Sequence, residues 1–185
     1  CNLGGLYTMN HRMADAKPLF EQAHSIFDAT TDGDAPMRAY VSQMIGNFLI
    51  MEGNSEQALP ILRSSVEQMS KWSGPKDVAS AWYHLGLACH NAGQMNEAVS
   101  SLEQAIRIFN TEGLPTSPDF VAASSILAQC YSQVHQEKRA EPLLKQAIAA
   151  SRQIHDTQLE KLCLAQYKTL LQNEGRKLEA AQLKP

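Results

Sequence analysis

The sequence predicts an all-α solenoid built from antiparallel helix hairpins, and two regularities carry this prediction. An apolar residue returns at intervals of 42, 40, 42 and 40 residues, and we call these five residues the anchors: Leu3, Ile45, Leu85, Leu127 and Tyr167. An alanine follows thirteen residues after each anchor without exception: Ala16, Ala58, Ala98, Ala140 and Ala180. A constant period of this size is typical of repeat arrays, in which each unit buries its apolar face against its neighbours. We therefore expect one continuous core and no internal domain boundary over residues 1–185.

The third repeat shows how each unit is built. Apolar residues recur at helical spacing through residues 77–91, which predicts a first helix there. Gly93 ends that helix, because glycine past the last turn is a common helix terminator. A second apolar stripe from Ala98 to Phe109 predicts the partner helix, and the glycine and proline of residues 111–115 close the unit.

The other units repeat this design in chain order. The expected helices are approximately 13–29 in the first unit, 36–53 and 55–72 in the second, 118–135 and 137–154 in the fourth, and 158–173 with a short tail at 176–185 in the fifth. The expected units are 1–33 (partial), 34–75, 76–115, 116–156 and 157–185, the last being a fifth repeat or capping helices. Because residue 1 already falls within a helix, we expect the chain to be a fragment of a longer array.

A small residue follows each of the first four anchors: Gly4, Gly46, Gly86 and Ala128. Together with the recurring alanine it predicts a close approach of the two helices, because a large side chain in either slot would hold the axes apart. Lys168 occupies this slot in the fifth unit, which fits a capping unit. Pro18, Pro60 and Pro142 each come two residues after an alanine, and we expect them in first helical turns.

These residues resemble the tetratricopeptide repeat. The third unit carries the pattern in order, through Trp82, Leu85, Gly86, Gly93, Ala98, Leu102 and Ala105. The second and fourth units match it through Ile45, Gly46, Leu49, Gly53, Ala58 and Leu62, and through Leu127, Ala128, Tyr131, Ala140, Leu144 and Ala147. The common repeat has about 34 residues, and the longer units here resemble the long-helix variety of kinesin light chains. The resemblance implies a right-handed superhelical solenoid whose first helices line a concave groove that binds other proteins.

Composition excludes several functional classes. A net charge of −3 argues against a nucleic-acid surface, which normally carries a basic patch. Cys1, Cys89, Cys130 and Cys163 include no C-x-x-C pair, so we expect no metal site and reduced thiols in a cytoplasmic protein. We also expect no cofactor and no membrane span. We expect no enzymatic activity, because nothing in the sequence places a nucleophile, a base and an orienting group together.

The first helices are unusually poor in charge. Residues 39–51, 79–91 and 121–133 contain no Asp, Glu, Lys or Arg in 39 positions, where the overall composition predicts about seven. Burial between helices accounts for part of this depletion. The expected partner-binding residues on the groove face are Tyr40, Gln43, Met44, Asn47, Tyr83, His84, Leu87, His90, Asn91, Ser125, Gln129 and Gln133. The same face continues through Gln166, Thr169 and Asn173.

Charges gather instead on the second helices, where i,i+4 pairing is expected. The expected ladders are Arg63 with Glu67 and Lys71, Glu103 with Arg107, and Glu141 with Lys145.

Two functional classes remain open. Amide side chains both donate to and accept from a peptide backbone, and methionine adapts to varied partners. The groove therefore predicts a non-catalytic interaction module that binds a peptide segment or a partner helix. The alternative is an architectural segment of a multi-subunit assembly, or a self-associating array, that docks through its ends or its convex face. We expect a monomer or weak self-association.

Overall fold

The computed structural model describes residues 2–10, 12–29 and 35–183, and within them it contains ten helices and no strand. In chain order these are α1 Asn2–Met9, α2 Met13–Ala29, α3 Ala35–Met51, α4 Ser55–Trp72, α5 Pro75–Asn91, α6 Met95–Thr111, α7 Pro118–Gln133, α8 Glu137–Gln153, α9 Thr157–Asn173 and α10 Lys177–Gln182. The predicted helices are confirmed with small shifts at their ends, and the tail of the fifth unit forms α10. No described helix is long and apolar enough to cross a membrane.

Consecutive helices pack as antiparallel hairpins, and the hairpins stack into a solenoid. Each odd-numbered helix from α3 to α9 packs on the helix before it and on its own hairpin partner. The odd-numbered helices, which we call the inner helices, also pack directly against one another from α3 through α9. No comparable packing links consecutive even-numbered, or outer, helices within the described residues. The array therefore curves toward the inner helices, which form its concave wall.

The anchors and the recurring alanines form the core. The four anchors from Ile45 onward are at most 6% exposed, and all five alanines are at most 1% exposed. Leu3 is the exception at 52% exposed. From α3 onward, the preceding outer helix covers one side of each inner helix. Among the described residues, α1 has no such neighbour.

The small residues after the anchors allow the close helix approach that the sequence predicts. A Cβ added at Gly46 would lie 2.5 Å from Leu62 Cγ, and one added at Gly86 would lie 2.6 Å from Leu102 Cγ. Ala128 fills the same slot in α7 and is buried, whereas Lys168 in α9 is exposed.

The prolines lie deeper in their helices than expected. Pro18, Pro60 and Pro142 are each the sixth residue of α2, α4 and α8, so their placement in first turns is wrong by about one turn. Each of these helices continues past its proline, which lacks the amide donor that would otherwise bond to the carbonyl four residues earlier.

The outer helices are joined by arginine–glutamate pairs that local spacing did not predict. Arg63 donates to both oxygens of Glu97 on α6, at 2.8 and 2.7 Å, so its expected pairing with Glu67 is wrong. Glu103 likewise accepts from Arg139 on α8 at 2.7 Å, while Arg107 donates to Gln104.

The third of these pairs joins α8 to the start of α10. Arg176 donates to Glu141 at 2.7 Å. Glu141 also meets Lys145 at 2.8 Å, and Glu67 meets Lys71 at 2.7 Å, as the i,i+4 spacing predicts. An arginine fork can bond a carboxylate twice, which favours these longer-range pairs over exposed i,i+4 partners.

Candidate binding groove

The concave wall is uncharged along most of its length. The charged residues of α3, α5 and α7 all lie in the first helical turn, namely Arg38, Lys76, Asp77 and Asp119. The two histidines of α5 add no charge at neutral pH. Burial lowers the pKa of His84, against smaller opposing effects of the Ser80 carbonyl and Asp119, and burial also lowers the pKa of His90. Both imidazoles are therefore neutral at pH 7.

The predicted groove residues lie at different depths. Tyr40, Asn91 and Gln133 are exposed. The partly buried members are Gln43, Met44, Asn47, Tyr83, His84, Leu87, His90 and Gln129. A row of exposed side chains, each six residues after an anchor, follows the ends of four successive inner helices: Met51, Asn91, Gln133 and Asn173. This row is therefore an accessible edge of the wall.

Ser125 does not belong to the accessible surface. Its side chain is 1% exposed, so the prediction that it contacts a partner directly is wrong. Its hydroxyl instead donates to Gln166 Oε1 at 2.7 Å, which links α7 to α9. Ser125 thus positions Gln166, which lies nearer the surface.

Several other predicted residues bond to the neighbouring inner helix. The Gln43 side-chain nitrogen donates to Ser80 Oγ at 2.9 Å and lies 3.1 Å from His84 Nδ1. His84 Nδ1 also lies 2.8 Å from the Ser80 carbonyl oxygen, to which it donates. The Cys130 thiol lies 3.5 Å from His90 Nδ1 and shares a hydrogen bond with the imidazole. These bonds close the centre of the wall, between α3, α5 and α7, and occupy polar groups that the sequence assigned to a partner.

A regularity in the sequence could have revealed part of this bonding. Gln43, His84, Ser125 and Gln166 follow one another at a constant interval of 41 residues. The first two lie 3.1 Å apart, and the last two are hydrogen-bonded. The repeated polar residues thus bond directly between units at the step from Ser125 to Gln166, whereas Gln43 bonds to Ser80 beside His84.

Among the described residues, one cleft opens near each end of the concave wall. The α7–α9 cleft has a volume of about 380 Å³ and is lined by Ala128, Gln129, Ser132, Gln133, Leu144, Ala165, Gln166, Thr169, Leu170 and Asn173. The α1–α3 cleft has a volume of about 260 Å³ and is lined by Gly5, Thr8, Phe20, Met44, Asn47, Phe48 and Met51. Neither lining contains a charged residue.

The clefts between outer helices differ in this respect. The one between α2 and α4 has a volume of about 570 Å³ and carries Lys17, Glu21 and Glu52 on its rim. The one between α6 and α8 has a volume of about 450 Å³ and is bordered by Arg107 and Lys138 among other charged residues. Charge therefore distinguishes the convex face from the concave wall.

The described cysteines are buried. No group of three or more His, Cys, Asp or Glu side chains that could hold a metal ion occurs in the part of the chain that the structure describes. Burial raises the pKa of Cys89 to about 12 and that of Cys130 to about 11. These thiols are protonated at neutral pH and pack as small apolar groups. Cys1 lies outside the described residues.

Comparison with known proteins agrees with the helical pattern. The family model described as tetratricopeptide repeat matches residues 37–111 and 77–153, which together cover more than half of the chain. A curated relative, Protein KINESIN LIGHT CHAIN-RELATED 2 from Arabidopsis thaliana, is 29% identical over 132 residues, which are 70% of this chain and 20% of that protein. The chain thus spans about a fifth of the length of this relative.

Solved structures share the architecture at low sequence identity. The crystal structure of Podosopora anserina putative kinesin light chain nearly identical TPR-like repeats superposes with a TM-score of 0.77 at 23% identity, covering 98% of this chain and 88% of that one. The apo form of RapI superposes with a TM-score of 0.82 at 10% identity, covering 96% of this chain and 64% of that one. At these identities the likeness shows the fold alone.

Proposed function

Because the chain belongs to the tetratricopeptide repeat family, we propose that it is a non-catalytic interaction module that binds an uncharged peptide segment or partner helix along its concave wall. Repeat arrays of this kind present an extended surface to other proteins. The observation that carries the proposal is the absence of charge from the linings of both concave clefts, beside convex clefts that carry charged rims.

The wall's chemistry favours an uncharged occupant. A charged side chain entering either concave cleft would lose hydration and find no opposite charge, which is unfavourable. The amides of Asn47, Asn91, Gln129 and Gln133 can instead donate to and accept from peptide groups. Met44 supplies apolar contact that adapts to different side-chain shapes. We assign partner contact to the accessible residues, and a supporting role to Gln43 and His90, which contact the next inner helix, and to His84, which bonds to Ser80 within α5.

The test replaces groove amides and measures partner capture. Asn47→Ala with Asn91→Ala should weaken capture of the bound proteins from lysate, quantified by mass spectrometry at several bait concentrations. Gln57→Ala with Asn96→Ala is the matched control, because both amides are exposed on outer helices. Circular dichroism should confirm that each variant stays folded. Retention of every partner at unchanged affinity by the groove variant would refute the proposal.

A second candidate is an architectural segment that docks through an edge of the array. Met37 near the start of α3 and Trp72 at the end of α4 are 59% and 63% exposed. In an antiparallel hairpin these two helix ends lie at the same edge, so the edge presents large apolar side chains. Light scattering over a range of concentrations tests this candidate. Stable self-association that Met37→Ser with Trp72→Ser abolishes would favour it over groove binding.

A further inference from the structure

We propose that the two concave clefts are paired subsites for one extended, uncharged segment. The α1–α3 cleft takes a large apolar side chain, and the α7–α9 cleft takes an amide, supplied by Asn, Gln or the main chain of the segment. The inference rests on the proposed function, because it names the partner of the same wall.

The two clefts occur at equivalent positions of the repeat. Thr8 of α1 and Ser132 of α7 each lie five residues after an anchor, and each lines its cleft. The Thr8 hydroxyl donates to the Gly4 carbonyl at 2.9 Å, and the Ser132 hydroxyl donates to the Ala128 carbonyl at 3.0 Å. Both short side chains are thus held against their own helix. The space beside them stays open toward the next inner helix.

The central junctions carry larger residues at the same position. Ile50 of α3 and His90 of α5 also lie five residues after an anchor. Ile50 is 9% exposed, and His90 reaches across to the Cys130 thiol. The volume of this side chain contributes to the open ends and the closed centre. At the α1–α3 junction the opening also reflects packing that is looser than between the later inner helices.

The chemistry of the α1–α3 cleft suits an apolar side chain. Its floor is a stacked aromatic pair, Phe20 and Phe48, with ring centroids 4.5 Å apart. Met44 and Met51 form the wall on α3, and methionine packs readily around aromatic and aliphatic groups. The volume of about 260 Å³ lies just below the range of sites that enclose a small molecule, roughly 300–1,000 Å³. It therefore suits a single anchoring side chain.

The chemistry of the α7–α9 cleft suits a hydrogen-bonding group. Gln129, Gln133 and Asn173 present amides around it. Gln166, in the same lining, accepts from Ser125 through its oxygen, while its side-chain nitrogen is buried without a partner. A buried donor left unpaired is unfavourable. A carbonyl of the bound segment would pair this nitrogen after a modest rotation of the side chain.

The separation of the clefts sets the length of the segment. From the α1–α3 junction to the α7–α9 junction the wall advances by three inner helices, each roughly 8–10 Å from the next. An extended chain advances by roughly 3.3–3.6 Å per residue. The apolar residue and the amide should therefore stand about eight positions apart in the segment.

The experiment uses a phage-displayed library of random dodecapeptides as the probe. Selected peptides are synthesised with a fluorophore, and their dissociation constants are measured by anisotropy. Thr8→Ile and Ser132→His fill the clefts with the residues that α3 and α5 carry at the same position. The matched controls are Thr111→Ile and Ser100→His, because both residues are exposed on the outer helix α6. Circular dichroism and thermal unfolding verify that all four variants are folded.

We expect selected peptides to share an apolar residue and an Asn or Gln about eight positions apart, without charge between them. Each cleft variant should weaken binding about tenfold or more, which corresponds to about 1.4 kcal/mol, and each control should leave it unchanged. Replacing the apolar residue of the peptide by alanine should remove the effect of Thr8→Ile but not that of Ser132→His.

Other results would show whether the paired subsites alone or the proposed function as well must be rejected. If Asn91→Ala, which lies outside both clefts, weakens binding while the cleft variants do not, the paired subsites are refuted and groove binding stands. If the selected peptides are rich in charge at these positions, the paired subsites are refuted together with the proposed preference of the wall for an uncharged segment. If binding ignores Asn91→Ala and both cleft variants, or if the library yields no binder, the proposed function fails together with the paired subsites.

Discussion

Gly86 offers a direct test of the close helix packing within a hairpin. A Cβ added there would lie 2.6 Å from Leu102 Cγ and 3.2 Å from the Leu102 backbone nitrogen. Because the nearest atom is the branch point of leucine, rotation of its terminal methyl groups cannot relieve the contact. Overpacking of this kind destabilises the folded protein by about 1–3 kcal/mol. Replacing a glycine inside a helix by alanine stabilises the helix by about 1 kcal/mol. Gly86→Ala should therefore lower the free energy of unfolding by up to about 2 kcal/mol.

Urea unfolding followed by circular dichroism measures this change, provided that the slope with denaturant stays constant. The control is Gly74→Ala, because a Cβ added at Gly74 meets nothing within 4 Å and its φ is −70°. In a Leu102→Ala background the clash is absent, so Gly86→Ala should no longer destabilise the protein.

The fourth repeat makes the Gly86 test demanding. Ala128 occupies the same slot there and is 1% exposed, so the α7–α8 hairpin accommodates a methyl group at this position. Gly86→Ala tests whether α5 and α6 can adopt a comparable arrangement without a loss of stability. An increase in the stability of Gly86→Ala would refute the reasoning about the small-residue slot, because the added methyl group would then meet no clash.

Three further predictions concern titration and reactivity. Hydrogen bonds from Arg176, and secondarily from Lys145, lower the pKa of Glu141 to about 2 from an ordinary value of 4.5, so Glu141 adds stability above pH 4.5 that is lost as pH falls toward 2. In Glu141→Gln the urea midpoint should change less between pH 4.5 and pH 2 than in the unmodified protein. The same pH profile in both proteins would contradict the pairing of Glu141 with Arg176. Burial lowers the pKa of His90 below 6.5, so stability should fall as pH drops below 6.5, and less so in His90→Asn. An NMR titration of His90 at or above pH 6.5 would count against its burial. Burial raises the pKa of Cys130 to about 11, so iodoacetamide at pH 7 should label it far more slowly in the folded than in the urea-unfolded protein, as mapped by peptide mass spectrometry; equal rates would show that the thiol is accessible.

The periodic sequence predicts the helices well because the same local signals recur in every unit. Each alanine thirteen residues after an anchor is buried, and the glycines after Ile45 and Leu85 sit against Leu62 and Leu102 as expected. The anchor at Leu3 shows the limit of this reasoning. Its exposure depends on which helix lies beside α1, and a pattern within one unit carries no information about that neighbour.

The sequence predicts which helices line the concave wall, but not how deeply each of their side chains is buried. The absence of charge on the first helices is visible in the sequence, and the structure places these helices on the concave wall. Side-chain depth is harder to foresee, because neighbouring residues on a helix point about 100° apart. The orientation of α7 about its axis decides whether Ser125 or Ile126 faces outward, and the structure buries Ser125. The pairing of Arg63 with Glu97 escaped prediction for a similar reason, since the choice over Glu67 depends on the distance between outer helices.

The position five residues after each anchor lies outside the core contacts that stabilise this array, and under our proposal it shapes the surface that meets a partner. The spacing between units is set by the anchors, the alanines and the small residues that follow the anchors, all of which lie in the core from Ile45 onward. The side chain at the fifth position instead lies between inner helices at the concave surface, where Thr8 and Ser132 leave space and Ile50 and His90 fill it. Exchange among such residues can open or close a junction while the core contacts stay in place. A solenoid can therefore change the pattern of its clefts, and with it the segment it accepts, at a position that its period does not constrain.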